Sequence, residues 1–128
     1  MLISVYNVPF NRKVGSMDWQ KLLKTAETEV AATMAELPEP VRKALLEVPV
    51  VLEKYPSRQD VAAGIEPDTL GYYDEDPVVR IRLWLENIRD YAEEEGLSYA
   101  DEVRTTLLHE IGHVLGWDED DVEERGLG

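Results

Sequence analysis

The sequence predicts an α+β fold, and three features of its apolar pattern point to this class. Apolar residues recur at helical spacing early in the chain, alternate with other residues in the middle, and return to helical spacing near the C-terminus. The outer patterns are typical of helices and the middle one of a strand. Because 128 residues suit one domain, we expect residues 1–128 to form a single domain, with 1–16 as an N-terminal extension.

The first helix is expected over residues 19–37, where apolar side chains follow a helical period and Pro38 ends the run. Ser16 or Asp18 would cap its start. Pro40 suits the first turn of a shorter second helix. We expect these two helices to pack against each other as an N-terminal helical hairpin.

A small sheet is expected in the middle of the chain. Residues 48–55 form a β-prone run that stops at Pro56, which predicts a buried strand. Residues 57–77 show no sustained period and contain several glycines and prolines, so they are predicted as a long loop of the kind that often carries function. Residues 79–85 alternate in the manner of a strand with one covered face.

The last helix should begin at Ser98 and run to Leu115. It carries His109, Glu110 and His113 in the pattern His-Glu-x-x-His. Both histidines of the protein stand here, one turn apart on one helix face, within reach of a single metal ion. Since the chain has no cysteine, the metal must bind through nitrogen and oxygen. Zinc suits this geometry, and we expect a zinc site on this helix.

A third ligand is expected after Gly116, where a left-handed turn would end the helix and send the chain back toward the metal. Glu119 has the expected spacing from His113, and Asp118 and Asp120 are the alternatives. Two histidines and one carboxylate leave the fourth zinc position to water, as a catalytic site requires.

Glu110 is predicted to be the general base of a peptidase. Beside the metal, it can take a proton from a zinc-activated water and pass it to the leaving amine. Arg80 and Arg82 flank the later strand, along which we expect an extended peptide substrate to bind. Each of four tyrosines could donate a hydrogen bond to the oxyanion, although core or surface packing is the more common role of a tyrosine. They are Tyr72, Tyr73, Tyr91 and Tyr99.

Charge and hydropathy exclude several partners. A formal net charge of -14 works against nucleic acids, whose phosphates bind clustered Lys and Arg. The chain shows no export signal and no run near the ~20 apolar residues that span a bilayer. We therefore expect a cytoplasmic protein without a membrane partner.

The chain resembles the minimal zincin-like metallopeptidases, a family of small bacterial proteins, over roughly residues 17–126. The residues that carry the resemblance are Leu37-Pro38, Val48 to Val51, Arg80 to Trp84 and, most specifically, Thr105 to His113. It implies a minimal zincin-like fold with a helical hairpin, a small sheet and a zinc helix. It also implies that the two histidines and an acidic residue after Gly116 bind zinc, and that Glu110 is the catalytic base.

Other interpretations remain open on the sequence. The zinc could instead stabilise the fold of a non-catalytic domain that binds another protein. In that case Asp118, Asp120 or Asp121 would supply a fourth ligand. The chain also resembles, more weakly, the metal-dependent enzymes of bacterial ribosomal-RNA maturation. That family expects a third histidine where Glu119 stands, and the net charge disfavours RNA. The two histidines could also be ordinary helix residues.

Overall fold

The computed structural model describes residues 3–5 and 15–116, which form a small sheet covered by helices. The elements follow in the order β1 (Ile3–Val5), α1 (Gly15–Glu36), α2 (Glu39–Ala44), β2 (Val50–Glu53), α3 (Arg58–Ala62), β3 (Gly71–Asp74), β4 (Arg80–Trp84), α4 (Leu85–Glu95) and α5 (Tyr99–Val114). The predicted α+β class is confirmed. Strand β1 lies within the segment predicted as an extension and pairs with β2.

The sheet has four strands in the described part of the chain, in the order β1-β2-β4-β3. β1, β2 and β4 are parallel, whereas β3 is antiparallel to β4. β4 therefore has a neighbour on each side, and β3 lies at one end. The side chains of Ile81, Arg82, Leu83 and Trp84 are all buried. The prediction that this strand has one covered face is wrong, because strands inside a mainly parallel sheet are shielded on both faces.

Helix α1 packs mainly against α5 and α4 rather than against α2. The predicted helical hairpin is therefore wrong as the main packing of α1. Helix α2 has six residues, none of them buried, and offers too little apolar surface to cover α1. As described, α1 begins at Gly15, so Ser16 and Asp18 lie within it and not at its N-cap. The largest fully buried side chains are Trp19, Trp84, Leu45, Leu52, Ile81, Leu83, Leu85, Ile88, Leu107, Ile111, Val30 and Val50.

The segment 57–77, predicted as a loop, contains α3 and β3. Ser57 starts α3 with a capping box: its hydroxyl accepts from the Asp60 N–H at 3.0 Å, and the Asp60 carboxylate accepts from the Ser57 N–H at 2.8 Å. Two main-chain donors at the start of the helix are satisfied in this way. The loop prediction is wrong because α3 has five residues and β3 has four, which is too short to show a period.

Helices α4 and α5 complete the layer that covers the sheet. α4 begins directly after β4 and ends at Gly96, whose φ of 67° makes a left-handed cap. Nothing in the apolar pattern predicts α4. Ser98 caps α5 as predicted, and the Ser98 hydroxyl accepts a hydrogen bond from the Asp101 N–H at 3.2 Å. Among the helices described, none combines the length and the apolar character needed to cross a membrane.

Arg82 lies at the centre of β4 and binds carboxylates from three segments. Its Nε donates to Glu53 Oε1 of β2 at 3.0 Å, and its Nη1 donates to Asp60 Oδ1 of α3 at 2.9 Å. Asp74 Oδ2 of β3 lies 3.9 Å from Nη1 and also pairs with Arg80. The prediction that an extended peptide binds along β4 is wrong, because β2 and β3 pair with its two edges, and Arg80 and Arg82 are bound by the protein's own carboxylates.

We expect Asp60→Asn to lower the free energy of unfolding by about 2 kcal/mol at neutral pH. Hydrogen bonding from Arg82 lowers the pKa of Asp60 from 3.8 to about 2, against the opposing effect of burial. Because the folded-state pKa lies below the ordinary value, this stabilisation is complete above about pH 4 and disappears as the pH falls toward about 2. Urea unfolding at a series of pH values measures the effect.

The matched control is Asp68→Asn, because Asp68 is an exposed carboxylate. It should change the free energy of unfolding by less than about 0.5 kcal/mol. A gap between the wild type and Asp60→Asn that stayed constant from about pH 7 to about pH 2 would contradict the role given to the Asp60 charge.

Candidate metal centre

His109 and His113 lie one turn apart on α5, with their rings close together. The ring centres are 4.7 Å apart and the ring planes are inclined by 79°. Both side chains are partly exposed, whereas Glu110 is only 7% exposed. Two imidazoles this close on an open helix face can ligate one metal ion together. The structure therefore brings together the three motif residues singled out in the sequence.

The opposite face of α5 explains why the histidines point outward. Val103, Leu107 and Ile111 recur every four residues and are fully buried in the core. At about 100° per residue, His109 and His113 fall on the other side of the helix. Glu110 falls at the border between the two faces, which is why it is buried although it adjoins the open face.

Burial raises the pKa of Glu110 from an ordinary value of 4.5 to about 7. The cause is the loss of water around the carboxylate, which disfavours its charged form. A carboxyl group whose pKa lies near neutrality can both accept and return a proton at physiological pH. A divalent cation at the neighbouring histidines would favour the charged form and lower this pKa again.

Gly71, the first residue of β3, lies directly against α5 beside Glu110. A Cβ atom on Gly71 would stand 2.7 Å from Thr106 Cγ2, and 3.3 Å from both Glu110 Cγ and the Arg82 carbonyl oxygen. These distances are shorter than optimal contacts between carbon atoms. Only glycine therefore allows β3 to approach the helix this closely. As a result, Glu110 is held between α5 and the main chain of β3.

We expect Gly71→Ala to lower the free energy of unfolding by about 1–3 kcal/mol, as overpacking of a tight interior does. Thr106→Ser removes the methyl group that the new Cβ would meet at 2.7 Å, so the double variant should recover much of that loss. Urea unfolding of the wild type, both single variants and the double variant measures this coupling. Strictly additive losses would contradict the contact as the cause.

Two of the four candidate tyrosines lie near the motif. The ring of Tyr73 stacks on His113, with centres 5.8 Å apart and planes inclined by 12°. The Tyr73 hydroxyl donates to Glu75 Oε1 at 2.8 Å. Tyr91 of α4 lines a cleft beside Glu110. These two tyrosines remain as candidate oxyanion donors.

The other two tyrosines serve elsewhere. Tyr72 follows Gly71 in β3 and points to the opposite face of the sheet, where its ring lies 6.4 Å from Trp84. The Tyr99 hydroxyl donates to the Leu22 carbonyl at 2.9 Å and ties α5 to α1. The expectation that either could donate to the oxyanion is therefore wrong.

The predicted third ligand, Glu119, lies outside the described residues, as do Asp118 and Asp120. Across residues 3–5 and 15–116, no group of three or more His, Cys, Asp or Glu side chains is placed to hold a metal ion. Gly116 does adopt the predicted left-handed turn, with φ of 77°, and its N–H donates to the His113 carbonyl at 3.0 Å. The identity of the third ligand stays a prediction.

Gly71 and Thr106 both adjoin Glu110, and neither is predicted as a site residue from the sequence. Nothing in the sequence distinguishes Gly71 from the other glycines and prolines of the segment predicted as a loop. Thr106 could have been found, because residues four apart on a helix share a face and it precedes Glu110 by one turn.

Comparison with known proteins supports the resemblance seen in the motif. Residues 75–128 match the family model described as zincin-like metallopeptidase. This range includes β4, α4 and α5, and therefore all three motif residues. No curated protein and no solved structure matches the chain.

Proposed function

We propose that the protein is a zinc-dependent peptidase that hydrolyses peptide bonds, and the match of residues 75–128 to the zincin-like metallopeptidase model supports this proposal. The observation that carries this proposal is the partly exposed pair His109 and His113 beside the buried Glu110. A metal-binding pair next to a proton acceptor is the combination that metal-assisted amide hydrolysis needs. The cytoplasmic location stays a prediction from the sequence.

His109 and His113 would hold the zinc together with an acidic residue after Gly116, for which we propose Glu119. The donor set fits zinc, because it offers imidazole nitrogen and carboxylate oxygen and leaves one position open. When bound there, zinc supplies Lewis acidity, which polarises a carbonyl group and makes water acidic near neutral pH.

Glu110 would move the proton during hydrolysis. Its carboxylate takes a proton from the attacking water as the new C–O bond forms, and gives it to the leaving nitrogen as the C–N bond breaks. The close approach of Gly71 supports this role, because it limits the positions open to the Glu110 side chain. A base that is already held in place does not have to be ordered during the reaction.

The outer edge of β3, which has no neighbouring strand among the described residues, would bind the substrate main chain. The Trp84 N–H donates to the Leu70 carbonyl at 2.9 Å. In an antiparallel ladder, that bond leaves the main-chain N–H and C=O groups of Gly71 and Tyr73 pointing away from β4. An extended peptide can hydrogen-bond to these groups and so lie next to Glu110.

The experiment measures metal content and hydrolysis on the full chain. Protein purified without chelators should hold about one zinc ion per chain, and it should cleave denatured casein in a chelator-sensitive manner that zinc restores. Protein without zinc would overturn the proposal. Zinc held by four protein ligands in X-ray absorption, with no cleavage, would favour the non-catalytic binding module instead.

A further inference from the structure

A cleft of about 280 Å³ opens beside Glu110, on the N-terminal side of the motif. Its lining includes Leu70 and Gly71, Tyr91 of α4, and Thr105 and His109 of α5. Its volume lies at the lower limit of small-molecule sites, so it suits a single side chain better than a whole ligand. Its position beside the proposed base places any such side chain next to the reacting bond.

The lining of this cleft is mostly apolar. The side chain of Leu70, the ring of Tyr91 and the methyl group of Thr105 provide surface that favours a hydrophobic occupant. The acidic lining residues are Glu102 and Glu110, beside His109, so an acidic side chain would meet two carboxylates of its own sign.

Glu102 does not turn the cleft into a site for a basic side chain. It lies in the first turn of α5, where the partial positive charge of the helix N-terminus already stabilises its carboxylate. It is also partly exposed, so water screens its charge. Burial of an apolar side chain against the apolar lining therefore gives the larger gain in affinity.

We propose that this cleft is a specificity pocket that takes an uncharged apolar side chain, such as leucine or phenylalanine, from the residue beside the cleaved bond. The inference rests on the proposed peptidase function. A peptide paired with the outward main-chain groups of Gly71 would turn alternate side chains toward α5. Gly71 and α5 both line the cleft beside their contact, so one of those side chains would enter it.

Two variants isolate the cleft without touching the core. Thr105 is exposed, so Thr105→Trp can fill the cleft with an indole and leave the packing of α5 intact. Thr28 is also an exposed helical threonine, but it stands on α1. Thr28→Trp is therefore the matched control for the added indole.

The test is calorimetric binding of dipeptide hydroxamates to the zinc-loaded full chain. Five compounds differ only in one side chain: glycine, leucine, phenylalanine, lysine and aspartate. The leucine and phenylalanine compounds should bind at least about tenfold more tightly than the glycine compound, as burial of such side chains predicts, and the aspartate compound should bind most weakly. Thr105→Trp should abolish the gain of the leucine and phenylalanine compounds over the glycine compound, whereas Thr28→Trp should retain it.

The outcomes separate the two proposals. If no hydroxamate binds, the glycine compound included, the metal site fails and the pocket fails with it. If all five bind with equal affinity, the metal site stands and the pocket is overturned. Tightest binding of the lysine compound, or an equal loss in Thr28→Trp, would also overturn the pocket.

Discussion

Glu110→Gln should retain zinc and lose peptide hydrolysis by more than about 100-fold. Glutamine keeps the shape of the side chain, which is 7% exposed and packed against Gly71, but it cannot accept a proton from water. Because burial already disfavours the charged form of Glu110, a neutral amide should not lower the free energy of unfolding. Zinc content, urea unfolding and kcat/KM on one peptide measure the three expectations.

The matched control is Glu94→Gln, an exposed position on α4, which should leave kcat/KM unchanged. Turnover by Glu110→Gln at a rate near that of the wild type would show that another residue activates the water. Loss of zinc together with loss of activity would instead assign Glu110 a ligand role.

Glu119→Ala should weaken zinc binding by more than about 100-fold, whereas Asp120→Ala should weaken it by less than about tenfold. The reason is the spacing: after the left-handed turn at Gly116, Glu119 stands at the position expected of the third ligand. Competition with a chromophoric chelator measures both affinities on the purified full chain.

The opposite result would assign the third zinc ligand to Asp120, one position after Glu119. If Asp120→Ala released zinc while Glu119→Ala retained it at wild-type affinity, the proposed path of the chain after Gly116 would be wrong. His109, Glu110 and His113 would keep their roles, because their arrangement depends only on the geometry of α5.

The sequence predicts the long elements of the fold well and the short ones poorly. Helix α1 has 22 residues and α5 has 16, so each shows several turns of its apolar period. Helix α4 escaped prediction because its first residue, Leu85, continues the alternation of β4 and its last turn is acidic. The burial of β4 on both faces depends on its pairing with β2 and β3. These pairings cannot be predicted from the residues of β4 alone.

The candidate site likewise has one part that can be predicted from the sequence and one part that cannot. The motif on α5 is predictable because helical spacing alone brings His109 and His113 onto one face. The contact of Gly71 with Glu110 and the ion pairs of Arg82 depend on how strands pair, and residues distant in the chain meet there. For that reason the sequence placed the substrate along β4, whereas the fold pairs both edges of that strand and uses Arg82 to join β2, α3 and β3.

The outer edge of β3, which has no neighbouring strand among the described residues, could also pair with the same edge of a second molecule. A strand end that can bind a peptide can bind the same strand of a second molecule, which is the usual route to edge-to-edge aggregation. Here Asp74, Glu75 and Asp76 stand at the end of β3, on a chain with net charge -14. Two copies that approached edge to edge would bring like charges together, whereas a peptide without acidic residues would not. We therefore expect the acidic end of β3 to disfavour self-association through this edge and to leave the edge open to chains without acidic residues.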